Sequence, residues 1–203
     1  MSARELFLVT EPEEVAAVLS TLRFGALVMH GREAFAFTAM PWTHEPGFLK
    51  GHMSRTNPQA SAGDGGAMAL FIGPNAYVTP NWYPAKAAHG KVVPTWNYEA
   101  VGVHGRVRFV EDRDWLLANV SALTERYEAE RGQDWKVSDA PEEYVQRLLG
   151  GIVGVELAIE KVEVRRKFSQ NRRPEDQDGV ISGLLATGDA NDRLLAESMQ
   201  RHE

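Results

Sequence analysis

Apolar and polar positions alternate with period two through much of the chain, and the period lengthens toward that of a helix in a few defined segments. From Val101 the residues Val101, Val103, Val107 and Phe109 take one parity while His104, Arg106 and Arg108 take the other. This is the pattern of a half-buried antiparallel strand. The runs FGALVM (24–29) and AFAFTAM (34–40), separated by HGRE, predict a hairpin. FLKGHM (48–53) predicts a third strand, and the polar SRTNPQA after it the start of a short helix. AMALFIG and AYVT read as two further strands around the turn residues Gly73, Pro74 and Asn75. In GIVGVELAIEKVEVRRKF (151–168) the apolar parity is odd from Val153 to Ile159 and even at Val162 and Val164, which predicts a bulge or bend near Lys161.

Helical periodicity appears elsewhere. Thr10 as N-cap, Glu13 as its capping-box partner and Pro12 in the first turn predict a helix from about Glu11 to Leu22. DRDWLLANVSALTERYEAE puts Trp115, Leu116, Val120, Leu123 and Tyr127 on one face, and PEEYVQRLL predicts a shorter helix behind Pro141. The end, DANDRLLAESMQRHE, reads as a loosely packed helix. Short strands with helices between and after them predict an α+β fold built on an antiparallel barrel. One domain over residues 1–203 is expected, with a helical tail from about 174 to 203.

VVPTWNYEAVGVHGRV (92–107) breaks the expected alternation. Pro94 pushes Val93 into an extended conformation. An unbroken strand would then put Thr95 and Asn97 on the face of Val101 and Val103, and Trp96 and Tyr98 on the face of His104 and Arg106. Two outcomes are open. A bulge near Glu99 resets the faces and makes the aromatics ordinary core, or an amide points inward while the aromatics point out toward a partner or a flat cofactor.

Composition narrows the chemistry. The 203 residues carry a formal charge of −6, which disfavours binding to a polyanion without a local basic patch. There is no cysteine, so disulfides, thiolate metal sites and cysteine nucleophiles are excluded. The start MSARELFLVTEPEE does not read as a secretory signal, and the apolar runs are too short to span a bilayer. A cytoplasmic protein is expected. No GxSxG, GxGxxG or phosphate-loop motif occurs, and the histidines lack HxxxH or HxH spacing, so no metal site is expected. GHMSRTNPQ (51–59) gathers hydroxyls, a guanidinium and amides after an apolar strand, the groups a phosphate monoester requires, although the same residues serve as ordinary caps. RRKFSQNRR (165–173) holds five cations in nine residues, either a solvated strand end or a contact for phosphate, a flavin edge or nucleic acid.

The blocks FGALVMHGREAFAFTAMPW, GHMSRTNPQ, FIGPNAYVTPNWYPAKAAHGKVVPTWNYEAV and GIVGVELAIEKVEVRRKFSQNR resemble, in order and spacing, the PaiB-type proteins, described as FMN-binding negative transcriptional regulators. The resemblance implies a split β-barrel of the pyridoxamine-phosphate-oxidase-like kind, flanked by helices and dimerising with itself around FMN. Carried over by motif, His52, Ser54, Arg55, Asn57 and Gln59 are expected at the phosphate. Trp82, Trp96 and Asn97 are expected near the ring or the dimer contact, and Lys167, Gln170 and Arg172 at the closing edge. Gly102 stands where the family often has histidine. A regulatory role is expected first, and an FMN-dependent oxidoreductase or a related haem-handling protein is the alternative. No helix-turn-helix with a basic recognition helix is legible, which places direct DNA binding last.

Overall fold

The computed structural model describes residues 5–30 and 34–202. Its strands are β1 (Leu8–Val9), β2 (Phe24–His30), β3 (Phe35–Pro41), β4 (Thr43–Glu45), β5 (Phe48–Ser54), β6 (Gly65–Val78), β7 (Thr95–Val110) and β8 (Ile152–Lys167). Its helices are α1 (Pro12–Thr21), α2 (Pro84–His89), α3 (Arg113–Glu130), α4 (Glu142–Leu149), α5 (Pro174–Ala186) and α6 (Ala190–Gln200). Pairing orders the strands β3-β2-β6-β7-β8-β5-β4, with β1 added to β8. Among the described residues the two ends of this order are not hydrogen-bonded to each other, so the fold is α+β on an antiparallel split barrel.

Contacts divide the chain into two compact units. One comprises residues 1–14, 72–101 and 163–203. Its core is Ala76, Val78, Tyr83, Phe168, Val180, Ile181, Leu184, Leu195, Ala196 and Met199. Leu195, Ala196 and Met199 lie on α6, so the terminal helix is firmly packed, contrary to the loose packing read from its polar composition. Asp189 caps α6 by accepting from the backbone N–H groups of Asn191 and Asp192.

The other unit comprises residues 15–71 and 102–162. The hairpin of β2 and β3 forms as expected, in the register Val28↔Phe37 and Ala26↔Ala39, while its turn, residues 31–33, lies outside the described residues. Trp42, fully buried after β3, donates its indole N–H to the Gly25 carbonyl at 3.2 Å. β5 pairs with β8 from Phe48↔Ala158 to Ser54↔Ile152. On α3, Asp112 caps the first turn, and Leu116, Asn119 and Leu123 form the buried stripe.

α1 forms within a residue of its expected bounds, at Pro12–Thr21. Two local expectations change, and one open choice is resolved. The two strands read around Gly73 are one, β6; buried positions switch from odd (Ala69, Phe71) to even (Ala76, Val78) across Gly73–Asn75, so the turn residues shift the parity without ending the strand. SRTNPQA forms tight turns and a single 3-10 turn, Ala60–Ala62, instead of a helix start. β7 keeps its parity through Glu99: Asn97 is 0% exposed on the side of Val101 and Val103, and Trp96 is 54% exposed. The bulge near Glu99 is therefore absent, and the inward amide with the outward aromatic is what the chain adopts. The parity of β8 does switch, with Val153, Val155 and Leu157 buried before the exposed Glu160 and Lys161, and Val164 and Arg166 buried after them.

Candidate functional site

GHMSRTNPQ leaves β5 at Ser54. His52 faces Gly154 across the β5–β8 pairing, and burial pushes its imidazole pKa below the ordinary 6.5. The amide nitrogen of Asn119 on α3 lies 3.4 Å from His52 Nδ1. Ser54 and Thr56 share a hydroxyl hydrogen bond of 2.9 Å. His52, Ser54 and Asn57 line one cavity of about 510 Å³, together with Thr38, Met40, Met53, Leu148 and Ile152. That volume lies within the roughly 300–1,000 Å³ of small-molecule clefts.

Arg55 and Gln59 are committed elsewhere. The Arg55 guanidinium donates to Glu111 at 2.8 Å and to the carbonyls of Gly150 and Ile152 at 3.2 and 3.3 Å. Gln59 is buried, donates to the carbonyls of Leu27 and Ala36 at 3.3 and 3.1 Å, and accepts from the Thr38 hydroxyl. It ties its loop to β2 and β3. The amides expected to be free at a helix start are also used: Gln59 N–H donates to Asn57 Oδ1 at 2.9 Å, and Ala60 N–H to the Asn57 carbonyl at 3.0 Å.

The remaining sequence-predicted residues belong to the other unit. Asn97 donates to Ser169 Oγ at 2.9 Å and contacts Met199 Sδ at 3.6 Å. Ser169 holds a left-handed backbone, φ 65°, at the turn after β8, a conformation a non-glycine residue keeps only when its surroundings enforce it. Trp96 meets Tyr77 edge-on, ring centres 6.3 Å apart. Trp82, partly buried, ends a short 3-10 turn and packs against the core. Lys167 donates to the Thr95 hydroxyl. Gln170 folds back, accepting from Phe168 N–H and donating to the Arg166 carbonyl, both at 2.6 Å. Arg172 lies 5.0 Å from the ring centre of Tyr83, whose phenol burial pushes upward.

The basic run is largely spent inside this unit. Arg165 grips Glu163, Arg166 is buried between Glu99 and Glu14, and Lys167 and Arg172 are engaged as described. Among the described residues no cluster of acidic or imidazole groups could hold a metal, and no helix is long and apolar enough to cross a membrane. At Gly102 an added Cβ would lie 3.3 Å from both Met68 Sδ and His104 Nε2, so glycine there leaves room that those two side chains occupy. Asn119 was missed by the sequence reading. Its signal was an amide three residues after Leu116 and four before Leu123, on an otherwise apolar stripe.

This open antiparallel barrel with a polar-rimmed cleft defines a protein of the split-barrel class. Residues 1–161 match the family model described as "Putative FMN-binding domain", and the chain belongs to that family. It is 35% identical to an uncharacterized protein of Emericella nidulans, over 74% of this chain and 71% of that one. It is 28% identical to the protease synthase and sporulation protein PAI 2 of Bacillus subtilis, over 96% of this chain and 94% of that one, which bears out the PaiB-type resemblance. Among solved structures it shares its fold with the flavocytochrome Anf3 of Azotobacter vinelandii (TM-score 0.58, 12% identity, 88% of this chain and 78% of that one). The FAD and heme binding protein of Mycobacterium smegmatis is similarly placed (TM-score 0.59, 13% identity, 90% and 80%). FMN is the cofactor class of the family. The cleft fits it chemically: imidazole, hydroxyl and amide groups suit phosphate oxygens, and Met40, Met53, Leu148 and Ile152 offer an apolar wall.

Proposed function

We propose that the protein is an FMN-binding homodimer with a regulatory role. The observation that carries this is the placing of His52, Ser54 and Asn57 around one cleft in a chain of the FMN-binding family. In this reading His52, Ser54 and Asn57 bind the phosphate, Asn57 through the amide hydrogen not given to the Thr38 hydroxyl, while Arg55, paired with Glu111, braces the segment. FMN, when bound, supplies redox chemistry that the chain's own side chains lack.

The dimer is supported by an apolar sheet face. Phe24, Phe35 and Phe37 are 65%, 76% and 74% exposed, and Phe37 pairs with Val28, which in turn pairs with Met68. Such a patch, on and beside a terminal strand of the sheet, suits a second copy of the same surface. The regulatory part is supported by the likeness to the Bacillus sporulation protein. Regulation is assigned without direct DNA reading by residues 165–173, because Arg165, Arg166, Lys167 and Arg172, four of its five cations, have partners within the chain.

The test is an FMN titration followed by flavin fluorescence, with light scattering on the same samples. Saturable binding at twice the chain mass is expected, and His52→Ala is expected to raise the Kd at least about tenfold, equivalent to about 1.4 kcal/mol. No saturable binding at millimolar FMN, or a monomer that binds normally, overturns the corresponding part.

A further inference from the structure

Asn119 occupies the middle of the buried stripe of α3, where an apolar residue would pack without cost. A buried amide has to recover its desolvation through hydrogen bonds. Its nitrogen lies 3.4 Å from His52 Nδ1, while its carbonyl oxygen is buried with no partner among the described residues. Asn119 also lines a small cavity of about 80 Å³ with Thr43, Glu45 and Lys50, where Lys50 donates to Glu45 at 2.5 Å. The amide atom set against the histidine is its nitrogen, a donor.

His52 in turn lines the 510 Å³ cleft, which Asn119 does not. The imidazole stands between the two. A ring nitrogen that accepts an amide N–H carries no hydrogen, and in a neutral ring the proton then sits on the other nitrogen. Burial favours the neutral ring.

We propose that Asn119 is a positioning residue that fixes the Nε2–H tautomer of His52, so that the ring offers a donor rather than an acceptor to an anionic phosphate oxygen in the cleft. The proposal rests on the reading of that cleft as the flavin nucleotide site. Histidine without this support would present a lone pair to phosphate in part of its population, which repels the ligand.

The test joins a spectroscopic readout to an affinity. In protein carrying 15N-labelled histidine, long-range proton–nitrogen spectra at pH 7.5 are expected to show His52 of the wild type protonated on Nε2. Asn119→Asp, of the same shape but able only to accept when ionised, is expected to move the proton to Nδ1 and raise the FMN Kd about tenfold or more. Asn119→Leu, which removes the hydrogen bond without adding charge, is expected to raise it severalfold. Riboflavin, which lacks the phosphate, should bind the variants within about twofold of wild type. An Nδ1–H tautomer in the wild type overturns the proposal, as does unchanged FMN affinity in Asn119→Asp once its tautomer has reversed. An equal loss of riboflavin binding overturns the assignment to phosphate. A wild type with the Nε2–H tautomer that binds neither FMN nor riboflavin overturns the flavin reading, leaving the effect of Asn119 on the ring established by the spectra alone.

Discussion

Gly105→Ala is expected to destabilise the protein by about 3 kcal/mol or more, the upper range for overpacking, or to leave it insoluble. Gly105 lies in β7, fully enclosed, where a Cβ would fall 1.8 Å from the carbonyl oxygen of Ala158 in β8 and 2.9 Å from its carbon. Both clashing atoms are backbone, so no rotamer change relieves them. The strands must separate or slide, and either movement disturbs the backbone next to the exposed Glu160 and Lys161, where β8 changes parity. Gly66→Ala in β6 is the control, because nothing lies within 4 Å of its added Cβ. That variant should stay within about 0.5 kcal/mol of wild type. Urea midpoints with unchanged slopes measure both. A Gly105→Ala midpoint close to that of Gly66→Ala would mean that the two strands do not approach as described.

What could be read from the chain and what could not divide along one physical line. Strand periodicity, the hairpin of β2 and β3 and the parity switch near Lys161 are local signals, each carried by residues a few positions apart. Their outcome agreed with the structure. Asn97 was ambiguous because its burial is decided by Ser169, 72 residues away, and by Met199 beyond it. Local alternation weighed a bulge against an inward amide, and the distant partner settled it. Pro74 and its neighbours read as a turn because proline and glycine usually end strands, yet β6 runs unbroken through them.

The candidate site follows the same division. His52, Ser54 and Asn57 were recognisable as a cluster of phosphate-binding types, and they do share a cleft. Gln59 has the same chemistry and sequence neighbourhood but is spent on the carbonyls of Leu27 and Ala36. Residue type alone does not distinguish a ligand donor from a clamp. Only the carbonyl that each amide meets does so, and that depends on strands 23 and 32 residues away.

Arg166→Leu carries the second large expected effect, a loss of about 3 kcal/mol. Arg166 is 8% exposed, donates from Nε to Glu99 at 2.5 Å and from Nη1 to Glu14, and holds the Phe7 carbonyl through its backbone N–H at 2.9 Å. Removing one partner of a buried ionic cluster typically costs about 3–5 kcal/mol, because the remaining charges have lost both water and counter-ion. The lower end applies here, since Glu14 and Glu99 retain some exposure and can rehydrate. Pairing the change with Glu99→Leu should recover part of the loss, as replacing both members by apolar groups removes a stranded charge. These results bear on the function of the basic run. A surface cation that contacted nucleic acid would leave the denaturation midpoint near wild type when replaced and would alter only a salt-dependent affinity. A loss of about 3 kcal/mol that is partly reversed in the double variant instead identifies Arg166 as the internal counter-ion of Glu14 and Glu99, holding β8 to α1 and β7 in the unit that also carries Asn97 and Lys167.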